Sequence, residues 1–308
     1  MHELPSAGDA VKLPPGLVGT GAGPRVHEVD ARWLMAYAAC LGETASAYLD
    51  TTRTGGVVAH PLFPVCYEWP LALDLRERAM GDEIALRSVH ATHDLVIHRP
   101  PRAGDRLSTT AVVTRVEPRR PGAYVCTRFQ TVDAGGQPVS TTDYGSLYRG
   151  VECDTAPSMR DGASSGAAAE DDDASPPPDW STRVAVAPTL AHVYSECARI
   201  WNPIHTDREV ARAAGLPDII LHGTATLALA VSEIQRHVAP ACSVARIACR
   251  FSAPVGLPST ITVQGWGTRE TPEGPTLRFQ ALNAEGRAAV TRGRIVLARR
   301  GQEGREHR

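Results

Sequence analysis

The sequence predicts an α+β protein made of two similar halves, each a curved antiparallel sheet wrapped around one apolar helix. Three observations predict it. Segments recur at an offset of about 155–160 residues: AYAACLG is answered by VYSECAR, VVAHP by IILHG, and HRPPRAGDRLSTT by SAPVGLPSTIT. That offset lies far above the roughly 20–50 residue period of solenoid repeats, so it marks a duplicated domain. In GTATLALAVSEI nearly every position up to Val231 is small or apolar, and a helix that is apolar all round is a buried helix. Each half then closes with extended segments joined by turns such as DAGGQ and NAEGR, which suit hairpins.

Taken in order, VDARWLMAYAACLGE places Trp33, Leu34, Ala38 and Leu41 at helical spacing, so a short helix opens the first half. VVAHPLFPVCYEWPLALDL reads as a loop entering the long apolar helix, and strands follow through SLYRG. The second half repeats the order with PTLAHVYSECARIWN, then IILHGTATLALAVSEI, then the strands from VARIACRF to GRIVLA. Between them, residues 154–182 contain little beyond Ala, Ser, Gly, Pro and Asp. Such a stretch cannot bury enough surface to offset its ordering entropy. The expected organisation is therefore 1–153, a disordered linker over 154–182, and 183–308. Two such units would join their sheets edge to edge, which protects the open edges.

Composition narrows the function. The chain has 308 residues, 43% hydrophobic and 21% charged, with a net charge of −2. That is a globular composition with no electrostatic reason to bind nucleic acid. The seven cysteines are scattered with no CxxC pair, so the usual zinc spacing is absent and no metal or other cofactor is expected. An odd cysteine count fits a reducing cytoplasm. The N-terminal MHELPSAGDAVKLPPG lacks an apolar signal core, and no stretch is long enough to span a bilayer. A cytoplasmic protein without a membrane partner is expected. GTGAGP near Gly19 is too short to be a nucleotide loop and lacks a following helix start. The AEDDDAS run is a solvated linker on its composition.

One segment carries chemistry. Tyr194 to Asp207 reads YSECARIWNPIHTD, and ILHG follows at 220–223. This block resembles the signature of the MaoC-like family of R-specific enoyl-CoA hydratases and dehydratases. That signature runs Tyr, a few variable residues, then Ser-Gly-Asp-x-Asn-Pro-hydrophobic-His-x-Asp. Tyr194, Asn202, Pro203, Ile204, His205 and Asp207 match it, and the match continues through Ala213, Gly215 and 220–223. The resemblance spans both halves, the first being like the degenerate hotdog of two-hotdog members. It implies a double hotdog fold and an enzyme that hydrates enoyl thioesters or dehydrates 3-hydroxyacyl thioesters. The implied partner is an acyl thioester of coenzyme A or of an acyl carrier protein, in a chain that can also form a homodimer.

The residues allow that chemistry to be rebuilt. Hydrating an enoyl thioester needs a base on water, an acid for the carbon next to the carbonyl, and donors for the enolate oxygen. His205 is a suitable base near neutral pH. Asn202 stands three residues earlier, across a turn stiffened by Pro203, with an amide that can bond the same water or imidazole. Gly223 opens the buried helix, where its N–H meets the favourable end of the helix dipole and a carbonyl can approach closely. The expected catalytic set is His205, Asn202 and Gly223. Each has a plainer reading: a loop histidine is ordinarily structural, Asn-Pro is a common turn, and a glycine relieves a tight turn. His222 is read as a loop-packing residue.

In the first half His60 answers His222, but Pro61 replaces Gly223 and has no N–H to donate. That half is expected to be a lid or acyl-chain half. The second half departs from the family too: the family's Asp aligns with Ile200 and its Gly with Arg199. Isoleucine cannot transfer a proton. Glu196 lies one turn earlier, on the same face if the helix continues. Three functions stay open: hydration or dehydration; another thioester step such as isomerisation, conjugate-addition cyclisation or hydrolysis; or acyl binding without catalysis. Arg208, Arg212, Arg246 and Arg250 are candidates for phosphate contacts, although surface solubility is the plainer reason for each.

Overall fold

A computed structural model describes residues 11–154, 176–238 and 243–298. Residues 155–175, most of the expected linker, lie outside the described residues. The remaining elements form one ten-stranded antiparallel sheet with helices on its inner face.

The first half runs β1 (Gly21–Glu28), α1 (Ala31–Cys40), α2 (Ser46–Leu49), α3 (Pro64–Ala85), then β2 (Ser88–Ile97), β3 (Arg106–Arg119), β4 (Gly122–Val132) and β5 (Pro138–Arg149). The second runs β6 (Trp180–Val186), α4 (Leu190–Ala198), a one-turn 3-10 helix (Pro203–His205), α5 (Arg208–Ala213) and α6 (Gly223–Val238). Its strands are β7 (Val244–Phe251), β8 (Ser259–Thr271), β9 (Gly274–Leu282) and β10 (Ala288–Leu297). Strand order is β1-β3-β4-β5-β2-β7-β10-β9-β8-β6. The halves therefore meet at β2 and β7, with Asp94 opposite Ala248. This is the edge-to-edge junction expected from the duplication.

Each half wraps its long helix as anticipated. In α6 every residue from Thr224 to Ser232 is buried. Leu227, Val231 and Ile234 share a core with Ile247, Phe279 and Ile295 of the sheet. That core crosses the junction and includes α1, α4 and the start of α3, so the halves fold around common apolar surface. Both hairpin turns form: Asp133 N–H donates to Gln137 O and Asn283 N–H to Arg287 O, with Gly136 and Gly286 at φ 78° and 73°.

Two strands lie where none was expected. GTGAGP leads into β1, with Gly23 so close to Thr109 O that a Cβ would lie 2.8 Å from it. β6 starts at Trp180, inside the stretch assigned to the linker. The reason is tertiary: WSTRVAV pairs along β8 from Trp180–Gly265 to Val186–Ser259, and the Trp180 ring stacks on His237 at 4.4 Å. Among the described residues no helix is long and apolar enough to cross a membrane.

The duplication is accurate at atomic level. Tyr37 and Tyr194 are 157 positions apart, and their hydroxyls meet at 3.3 Å in the buried contact between α1 and α4. The chain leaves both helices the same way. Gly42 N–H donates to Ala39 O and Glu43 N–H to Ala38 O; Arg199 N–H donates to Glu196 O and Ile200 N–H to Ser195 O. Gly42 and Arg199 both take left-handed backbone, at φ 73° and 57°. Further on, Asp50 accepts from Thr52 N–H and Asp207 from Glu209 N–H.

Candidate active site

The loop 199–207 is built by its own motif. Arg199 holds the left-handed conformation that closes α4, at a cost of roughly 1–2 kcal/mol for a side chain other than glycine. Its guanidinium lies over the Trp33 ring, 3.9 Å from the centroid, a cation–π contact that offsets part of that cost. A glycine in the family at this position has a physical reason in that φ, which supports the alignment that places Ile200 where the family has Asp.

Asn202 caps the 3-10 turn, its Oδ1 accepting from Ile204 N–H at 3.4 Å. Pro203, at the first helical position, donates nothing and loses nothing there. Asp207 caps α5 by accepting from the N–H groups of Glu209 and Val210. So three of the matching residues, Asn202, Pro203 and Asp207, serve the loop's geometry directly. Asn202 keeps its amide NH2 for other partners, and its backbone carbonyl accepts from His205 N–H at 3.1 Å.

His205 is the fixed point of the site. Its Nδ1–H donates to Ile220 O at 2.8 Å, which leaves Nε2 as the lone-pair nitrogen. The ring is buried and stacks on His222, 3.7 Å between centroids at 25°. His222 Nε2 lies 3.2 Å from Ser195 Oγ and 3.3 Å from Ile200 O, and its Nδ1 is buried without a partner. The Tyr194 ring packs against His222 at 4.9 Å, its hydroxyl donating to Thr224 Oγ1. Sequence reasoning read His222 as a loop-packing residue, with lining of the pocket as the alternative. The structure makes it the bridge from the end of α4 to His205, and the signal that marked it was its repetition as His60.

Gly223 begins α6, where the first-turn N–H groups have no intrahelical acceptor. A Cβ there would lie 3.1 Å from the Phe251 ring, so the missing side chain lets that ring pack directly against the start of α6. The structure thus brings His205 and Gly223 together around His222, with Asn202 at the base of the same loop. Glu196 does not join them. α4 ends at Ala198, so the helix that would align Glu196 with Ile200 stops short, and Glu196 is exposed and bonded to Trp201 Nε1 at 3.2 Å. Ile200 is buried in the apolar core.

Burial sets the electrostatics. It pushes His205 down to about 4, against a smaller opposing effect of the Ile220 carbonyl. It also lowers His222 well below the ordinary range, helped by His205. Both imidazoles are neutral at physiological pH. Burial likewise takes His93 to about 4 and His60 to about 3, and carries Glu68 up to about 8. Between pH 6.5 and 4.5 the unfolded chain binds protons on these histidines that the folded one refuses. Their stabilisation is present above pH 6.5 and lost on acidification toward 4. Glu68 acts in the opposite sense, its contribution present below about 4.5 and lost as pH rises through about 8. Four buried histidines outweigh one carboxyl, so the urea midpoint is expected to fall steadily from pH 6.5 to 4.5. A midpoint constant or rising on acidification would contradict this protonation scheme.

Comparison with known proteins agrees with this architecture. Residues 174–280 match the MaoC like domain, and residues 16–142 match the FAS1-like, dehydratase domain region. The second half thus carries a MaoC like domain and the first a FAS1-like dehydratase region, and the fold is that of double hotdog proteins. It is 26% identical over 178 residues to a peroxisomal hydratase-dehydrogenase-epimerase of Saccharomyces cerevisiae, covering 57% of this chain and 18% of that protein. It is 34% identical over 91 residues to an enoyl-CoA hydratase of Mycobacterium tuberculosis, covering 29% of this chain and 32% of that one. The matched stretches are thus less than a third of either relative. Among solved structures, a MaoC-like dehydratase from Phytophthora capsici superposes with a TM-score of 0.77 at 23% identity, over 92% of this chain and 97% of that one. A conserved hypothetical protein of Mycobacterium tuberculosis with a double hotdog fold superposes at 0.59 and 17% identity, over 91% and 96%.

Proposed function

We propose that the chain hydrates trans-2-enoyl thioesters, or runs the reverse dehydration of 3-hydroxyacyl thioesters, at His205. The observation that carries this is the fixed tautomer: Nδ1–H is committed to Ile220 O, so Nε2 is the basic nitrogen at the site. In the forward direction Nε2 takes a proton from water as its oxygen bonds C3. The C2=C3 electrons move toward the carbonyl oxygen, held as an enolate by Gly223 N–H; as the carbonyl re-forms, C2 takes the proton back from Nε2–H, which returns His205 to its neutral form. Asn202 holds the water or the thioester through its amide. The thioester is of coenzyme A or a carrier protein. Arg246 is not free for its phosphates, being paired to Asp94 at 2.7 Å and to Glu273. Arg208 is paired to exposed Asp218, a weak contact that a phosphate can displace.

The buried Ile200 favours a second reading in the same pocket. An apolar residue at the acid's position dries the floor and disfavours a bound nucleophilic water. A proton shift or ring closure by the substrate's own hydroxyl needs only the single neutral base. Following enoyl absorbance with crotonyl and longer enoyl thioesters, and identifying the product, tests both. A 3-hydroxyacyl product supports hydration and a shifted double bond supports the second reading. Unchanged substrate at every chain length would remove both.

A further inference from the structure

The acid missing beside His205 is present in the other half. Counting 157 positions back along the matched loops, Ile200 answers to Glu43, Asn202 to Ala45 and His205 to Tyr48, with identical helix-end hydrogen bonds anchoring the correspondence. His60 and Pro61 answer to His222 and Gly223. Even the ring contacts are echoed: Tyr37 and Tyr48 lie 5.8 and 5.9 Å from His60, as Tyr194 and His205 flank His222.

At this position the structure has a cavity of about 420 Å³, a size typical of small-molecule sites, which span roughly 300–1,000 Å³. Its polar groups are built in. Glu43 is 7% exposed and paired with Arg236 of α6 at 3.4 Å. The Tyr48 hydroxyl donates to Gln235 Oε1 at 3.2 Å, and His60 Nε2 meets Ser232 Oγ at 3.2 Å. Apart from Thr44 and Ser243, the rest of the wall is apolar, including Ala47, Val58, Ile97 and Val244. Glu43 is held by Arg236, which also pairs with Glu233, so among the described residues the cavity offers no free cation and suits a ligand without negative charge that has an apolar tail and a hydrogen-bonding group.

We propose that this cavity is a second acyl-thioester site, related to the His205 site by the internal duplication, that binds without turnover. The ligand class rests on the function proposed for the His205 site. The acyl chain occupies the apolar wall and the thioester carbonyl faces Tyr48 and Gln235. Turnover is absent for two chemical reasons. Pro61 has no N–H for a developing oxyanion, and a phenol in the place of His205 is no base at neutral pH; burial, aided by Glu43, carries Tyr48 up to about 12. The first half therefore keeps a recognition site of its own, beyond the lid role expected from Pro61.

Calorimetric titration of the full chain with hexanoyl-pantetheine, a saturated thioester that cannot be hydrated, tests this. Two sites per chain are expected, falling to one in Ala47→Phe, which fills the cavity, with turnover of crotonyl thioester within about twofold of the parent. Ala45→Trp on the exposed rim carries the same expectation should Ala47→Phe not fold. A single site lost in Ala47→Phe would uphold this cavity and count against the His205 site instead. Binding that Ala47→Phe leaves unchanged, or no binding, would overturn the proposal.

Discussion

His205→Ala is expected to lower turnover of enoyl thioesters by at least about a hundredfold, the low end for losing a general base. The side chain supplies a lone-pair nitrogen whose orientation is enforced, through Ile220 O at 2.8 Å and the His222 stack at 3.7 Å. The neighbouring His222 does not replace it: its Nε2 is spent on Ser195 and Ile200 O, and its Nδ1 is fully buried. Loss of a buried ring also loosens the loop, so circular dichroism and a thermal melt accompany the kinetics. His205→Asn separates the two effects: its amide NH2 stands where Nδ1–H stands and retains a donor toward Ile220 O, but it has no base. It is expected to melt close to the parent and remain as inactive as the alanine variant. A folded His205→Ala protein with parental turnover would remove the proposed base.

The second large effect is a gain. Ile200→Asp restores a carboxylate at the position whose backbone carbonyl touches His222. Hydration moves one proton off water and places one on carbon, and two side chains handle that traffic more readily than one. The variant is expected to hydrate simple enoyl thioesters about tenfold or more faster than the parent. It is also expected to lose at least about 2 kcal/mol of stability, since Ile200 is buried in the apolar core and a carboxyl there lacks prepared partners. A carboxylate nearby also favours the imidazolium, so the acid limb of its pH–rate profile moves upward from the parent's. Rapid parental turnover with no gain in Ile200→Asp would show that the second proton comes from elsewhere.

Much of this architecture is written in residue patterns, and the exceptions have physical causes. α6 was readable because burial on every side leaves an unbroken apolar run. The hairpins were readable because Asp-x-Gly-Gly and Asn-x-x-Gly supply the left-handed turn positions. β1 and β6 were not. They lie at the two sheet edges; β1 buries only Ala22 and shows no apolar alternation, whereas β6 does alternate, with Trp180, Thr182, Val184 and Val186 less exposed than Ser181, Arg183 and Ala185, but is short and continues straight from the Ser- and Pro-rich stretch. Edge position also tolerates the Gly and Pro of β1. At the site, the motif identified the loop and the base, because Asn202, Pro203 and Asp207 build local structure that spacing reveals. The aid offered by Glu196 failed at Arg199, whose left-handed turn ends the helix before Ile200 and cannot be read from an arginine. The His205–His222 stack joins residues brought together only by packing across α4 and α6.

The most direct measurement is a crystal structure of the protein with a 3-hydroxyacyl-pantetheine bound. The account predicts a thioester carbonyl oxygen about 3 Å from Gly223 N and a 3-hydroxyl within hydrogen-bond reach of His205 Nε2. A thioester bound only in the first half, with the His205–His222 stack untouched and Gly223 still covered by Phe251, would contradict it.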